Sequence, residues 1–126
     1  MRKILKIASV LLLASITFTA CGTSKVYNVA PQKIDTQKSS EKTYQAIRAA
    51  GQSLGWNIRK IKPGVAEGKL ALRAHVAVVR IDYTRNSYSI RYVRSTNLKY
   101  NAKKGTIHSN YNGWIQNLEK AIDARL

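Results

Sequence analysis

Cysteine is almost missing from this chain, with one in 126 residues, and that excludes an intramolecular disulfide and every cysteine-rich zinc cage. Histidine is as scarce. His75 and His108 have neither cysteine nor carboxylate neighbours at metal-ligand spacing, so each reads as a turn or capping residue, and the sequence implies no metal or cofactor. Acidic residues number 6 against 22 basic ones, a formal net charge of +16. So few carboxylates leave little for paired acid–base catalysis: Glu119 and Asp123 stand four apart on the solvent side of a helical stripe, where they repel mildly and a nearby lysine offsets them. There is no glycine-rich phosphate loop and no nucleophile elbow. No apolar run approaches the roughly 20 residues that a membrane-spanning helix needs.

What the chain does have begins at its start. Arg2, Lys3 and Lys6 precede IASVLLLASITFTA, an apolar core of secretory-signal length that ends in small residues. Cleavage after Ala20 makes Cys21 the first residue of the mature chain. Phe18-Thr19-Ala20-Cys21 resembles the lipobox of bacterial lipoproteins, in which the cysteine thiol is diacylglycerated before the signal is removed and the new amino terminus is then acylated. Phe18 departs from the leucine favoured three residues before the cysteine. A plain secretory signal with a cysteine at the junction is the other reading. Each buried methylene contributes about 0.8 kcal/mol to membrane attachment, so two or more acyl chains are a sufficient reason for Cys21. The lipobox resemblance implies a lipid-anchored envelope protein. Gly22 stands where an aspartate would hold it at the inner membrane, so the outer membrane, facing the periplasm, is implied.

Taking residues 1–20 from the 126 leaves 106, and with Arg2, Lys3 and Lys6 gone the net charge falls from +16 to +13. That is one small domain. Residues 21–39 hold the lipidated cysteine and then GTSKVYNVAPQKIDTQKS, polar and without a sustained period, which reads as a flexible tether ahead of a domain at 40–126.

The domain opens with a helix over about 41–54. Ser39 or Ser40 can cap it, Glu41 suits its positive start, Tyr44, Ile47, Gly51 and Leu54 share a face, and Gly55 offers the left-handed conformation that ends helices. Residues 56–94 are rich in β-branched and aromatic side chains and broken by turn signals, above all Pro63-Gly64 and Arg85-Asn86. Four strands are expected, over 56–61, 66–73, 77–84 and 87–94. Tyr111, Trp114, Ile115, Leu118, Ile122 and Leu126 then form an apolar stripe on a helix over about 110–125, with Ser109 or Asn110 as its cap and Trp114 as a core anchor. The expected fold is α+β: a two-layer sandwich with a four-stranded antiparallel sheet and two helices on one face, in the order α-β-β-β-β-α.

Two stretches carry a further resemblance. SxNLxY at Ser95, Asn97, Leu98 and Tyr100, and IHxxYNxWIxxL from Ile107 to Leu118, resemble a group of small Gram-negative envelope lipoproteins. The resemblance implies an envelope location and a small α+β domain, and no known chemistry.

Strand alternation sorts the remaining residues. Ile58, Leu70, Leu72, Val79, Ile81, Tyr83, Tyr88, Ile90 and Tyr92 share one parity and face the helices; Arg59, Lys69, Arg73, Arg80 and Arg91 share the other with Asp82 and Ser89. Five cations beside one carboxylate read either as a solvated face or as a docking surface for an anion, since arginine forks match phosphate and carboxylate oxygens. The ligands this suggests are lipid phosphates, an anionic envelope polymer or an acidic protein. Nucleic acid fits the charge, but the tyrosines that would stack bases fall on the buried parity and the compartment disfavours it. The reading is a non-enzymatic, lipid-anchored binding domain; the alternative is a small envelope hydrolase or modifying enzyme with an unrecognised site.

Overall fold

A helix that starts at a serine and stops at a glycine sets the frame. In the computed structural model, which describes residues 22–35 and 39–126, α1 spans Ser40–Ser53. The Ser39 hydroxyl accepts from the Lys42 amide, closing the helix start. At the other end Gly55, at φ +89, takes the left-handed position: its amide donates to Gln52 and that of Trp56 to Gly51, the pair of bonds of a Schellman stop. Gly51 lets this helix lie close to the sheet, because a Cβ there would come within 2.5 Å of the Ile58 side chain.

Turn chemistry then sets out a run of strands and a second helix. β3 (Asn57–Lys62) and β4 (Val65–Leu72) are joined by Pro63-Gly64, where Gly64 at φ +85 meets the demand of a type II turn. Arg73-Ala74 links β4 to β5 (His75–Thr84), and Arg85-Asn86 links β5 to β6 (Ser87–Thr96). β7 (Thr106–His108) leads into α2 (Ser109–Asp123). The cap of α2 is neither Ser109 nor Asn110 but His108, whose Nδ1 accepts from the Asn110 amide at 3.1 Å.

The expected tether is folded over much of its length, and the four-stranded sheet gains a fifth strand from it. β1 (Thr23–Lys25) pairs antiparallel with β7, and β2 (Val29–Lys33) pairs antiparallel with β6, so the main sheet runs β2-β6-β5-β4-β3. The physical reasons are local. Val29 and Ile34 are buried in the core. Asn112 clamps the chain between the strands, accepting from the Tyr27 amide at 2.9 Å and donating to the Lys25 carbonyl at 2.7 Å, and the Tyr27 hydroxyl donates to Glu119. Cys21 and the signal-like segment lie outside the described residues.

One core joins the helices to one parity of the sheet. Ile47 and Ala50 of α1 and Tyr111, Ile115, Leu118 and Ile122 of α2 pack with Ile58, Leu70, Val79, Ile81, Tyr88 and Ile90. Trp56 is the buried tryptophan of this core; Trp114, expected as its anchor, is half-buried at its margin. Leu72 has the buried parity but lies exposed at the end of β4, and Tyr92 is only half-buried. Both sheet edges are guarded against pairing with other chains. β3 carries Arg59, Lys60 and Lys62, and β2 carries Pro31 and a bulge.

Candidate functional site

The face of the sheet that no helix covers is built in cross-strand rows. Arg59 of β3 lies opposite Glu67 of β4, Glu67 opposite Arg80 of β5, and Arg80 opposite Arg91 of β6. The next row runs Asn57, Lys69, Val78 and Arg94. Like charges placed directly opposite repel, and the Arg80–Arg91 pair is held by a carboxylate set between them. Arg80 Nη2 lies 2.9 Å from Asp82 Oδ1 and Arg91 Nη2 lies 3.2 Å from Asp82 Oδ2. The hydrogen bond from Arg80 holds the Asp82 carboxyl below the usual carboxylate range, against a smaller opposing effect of burial.

Four of the five cations expected here therefore share this face, but three of them are already partnered. Arg59 Nη2 bonds Glu67 Oε1 at 3.1 Å, a second carboxylate that alternation also places on this face beside Asp82. Arg73 is not on the face at all. It occupies the first central position of the β4–β5 turn at φ +57, a left-handed conformation that costs a non-glycine residue of order 1–3 kcal/mol. In its place a bulge in β6 delivers Arg94: Val78 pairs with Arg94 and Val79 with Tyr92, which leaves Val93 as the extra residue and turns both Val93 and Arg94 outward. Neither Lys69 nor Arg94 has a carboxylate partner among the described residues. Between them on this uncovered face Val78 is only 2% exposed.

The face also carries exposed apolar side chains. Ile61 is 47% exposed and Val93 45% exposed, and with Val65, Glu67 and Arg80 they line a shallow recess of about 260 Å³. A second open groove, about 490 Å³, runs beside β2 between Ala30, Pro31, Asp82, Ser89 and Arg91.

Elsewhere several polar side chains have structural partners. His75 Nδ1 donates to the Asn97 carbonyl at 2.8 Å, and Asn97 Nδ2 donates to the Ala74 carbonyl, so the first motif ties the β4–β5 turn to the chain after β6. Tyr92 hydrogen-bonds Ser95 and stacks on Tyr100 at 4.3 Å. The Tyr88 hydroxyl donates to Asp123 at 2.5 Å, and burial, then this bond, push its pKa well above the ordinary tyrosine value. Among the described residues no three His, Cys, Asp or Glu side chains gather as a metal set, and no helix is long and apolar enough to cross a membrane. No family model, curated protein or solved structure matches the chain.

Proposed function

We propose that this is a non-enzymatic binding domain, anchored to the envelope membrane through acylated Cys21, whose open sheet face docks an acidic protein surface. The observation that carries the reading is the composition of that face: exposed Ile61 on edge strand β3 and exposed Val93 at the β6 bulge, interspersed with Arg59, Lys69, Arg80, Arg91 and Arg94. Exposed apolar side chains set among arginines suit a protein surface, whose interfaces are enriched in arginine and mix apolar with polar area. A polyanionic sugar or a free phosphate would use the arginines and gain nothing from the isoleucine and valine. Arg59, Arg80 and Arg91 are pre-ordered by Glu67 and Asp82, which fixes their forks at little further entropic cost when a carboxylate arrives. Lys69 and Arg94, without such partners, supply the net attraction.

The experiment is site-specific photo-crosslinking in cells, with the reactive side chain at Ile61 or Val93 and, as reference, at Gln45 on the exposed side of α1. The expected result is one discrete adduct from the two sheet positions and none from Gln45. The adduct should map to an acidic patch, disappear in Lys69→Glu/Arg94→Glu, and weaken steeply as salt rises, because screening sets in beyond about 8 Å at physiological ionic strength. Identical adducts from all three positions, or sheet-face adducts untouched by the charge reversal, would overturn the reading.

A further inference from the structure

Four exposed lysines lie along β1 and the chain beside it, the first about 10 Å along β1 from Gly22, and no acidic residue balances them. Gly22 is part of the fold: its carbonyl accepts from the Ser109 amide at 2.7 Å, and Thr23 pairs with His108. β7 has the chain from Leu98 to Asn101 on its other side, since His108 donates to the Leu98 carbonyl and Asn101 bridges to Thr106. With strands spaced by about 4.8 Å, Lys99 lies roughly 10 Å across from β1. Along β1, Lys25 stands three residues from Gly22, about 10 Å, and its Nζ donates to the Lys104 carbonyl. Lys25, Lys99, Lys103 and Lys104 are all exposed. From Tyr83 to Leu118 the sequence has no aspartate or glutamate; Glu41, Glu67, Asp82, Glu119 and Asp123 are each engaged elsewhere, and Asp35 lies beside Tyr88 and Asp123. Tyr100, in the same loop, is 43% exposed although its ring is held flat against Tyr92. An amphipathic ring fixed at the surface beside lysines is the composition of a membrane–water interface.

We propose that this end, β1 together with residues 97–105, rests on the anionic bilayer that holds the acylated Cys21, with the four lysines at lipid phosphates and Tyr100 at headgroup depth. The inference rests on the anchor reading of Cys21 and adds an orientation to it. One residue spans at most about 3.6 Å, so a chain folded from Gly22 onward cannot stand off the lipid as a tethered domain would. Each lysine near an anionic surface contributes of order 1 kcal/mol, so four are enough to hold one face down once the acyl chains have removed the cost of approach.

The test uses the full chain, acylated in its host and reconstituted in vesicles of phosphatidylethanolamine with phosphatidylglycerol. A fluorophore is placed on Ala102→Cys or, at the far end of the ten-residue β6, on Arg85→Cys. Lipids with a quencher near the headgroup report depth. Quenching several-fold stronger at 102 than at 85, reduced in Lys99→Glu/Lys103→Glu/Lys104→Glu while that variant still fractionates with the vesicles, is the expected result. Equal quenching at the two positions in a chain whose Cys21 peptide has the acyl mass overturns the orientation alone. Absence of that mass and of vesicle association overturns it through the anchor.

Discussion

Two buried tyrosines show how one hydroxyl group can have opposite worth. Tyr88 and Tyr111 are both almost fully buried, and burial raises the pKa of each above the ordinary tyrosine value. Tyr88 donates to Asp123, whereas the Tyr111 hydroxyl is buried without a hydrogen-bond partner, its ring edge-on to Tyr92. A satisfied bond contributes about 1 kcal/mol, while a buried polar group left unpaired costs about 1–3 kcal/mol. Tyr88→Phe should therefore destabilise by about 1 kcal/mol and Tyr111→Phe should stabilise by a similar amount, read from urea midpoints at neutral pH. The pH dependence has a fixed sign. A raised folded-state pKa contributes stability that is fully present below about 10 and is lost as pH rises through the folded value, because the unfolded chain releases the proton first. Wild-type protein should thus lose stability above pH 10, and each Phe variant should lose less. Two substitutions that shift the midpoint in the same direction would contradict this account.

At the scale of elements, the closest approach of a helix to the sheet depends on Gly51. Alanine in a helix is ordinarily better than glycine by about 1 kcal/mol. Here its Cβ would meet Ile58 at 2.5 and 2.8 Å, so Gly51→Ala should destabilise by about 1–3 kcal/mol, and Gly51→Ala with Ile58→Val should recover part of the loss. Equal stability of Gly51→Ala and wild type in thermal melts would show that α1 can lift off β3 freely. The same helix shows what is legible in the sequence. Long elements with clear punctuation are readable: Ser39 and Gly55 mark α1, Pro63-Gly64 marks a turn, and the parity of β3 to β5 sorts core from surface. The three-residue strands β1 and β7 are not, because such lengths hold no alternation to read, and β2 contains Pro31, a residue that usually argues against a strand. The candidate site is legible in Arg59, Lys69, Arg80 and Arg91. Arg94 is not, since a bulge at Val93 reverses parity without a signature in the sequence, and Arg73 is misplaced by alternation because glycine, not arginine, normally marks its turn position.

For the whole molecule, the placement of residues 22–35 decides between a domain on a leash and a domain whose fold begins at Gly22. A flexible tether could be removed without changing the stability of the domain it carries. The structure instead commits Val29 and Ile34 to the core and β2 to the sheet edge. Burying a valine or isoleucine side chain contributes about 1.5–3 kcal/mol, so deletion of 22–35 removes roughly 3–6 kcal/mol, a large share of the 5–15 kcal/mol that a small domain has. It also leaves β6, ten residues with Tyr88, Ile90 and Tyr92 in alternation, as a bare edge open to pairing with other chains. A chain lacking 22–35 but keeping Cys21 and the Ser39 cap should therefore melt far below the intact protein, bind a hydrophobic dye and aggregate with concentration. A deletion variant that stays monomeric with an unchanged denaturant midpoint would restore the tether.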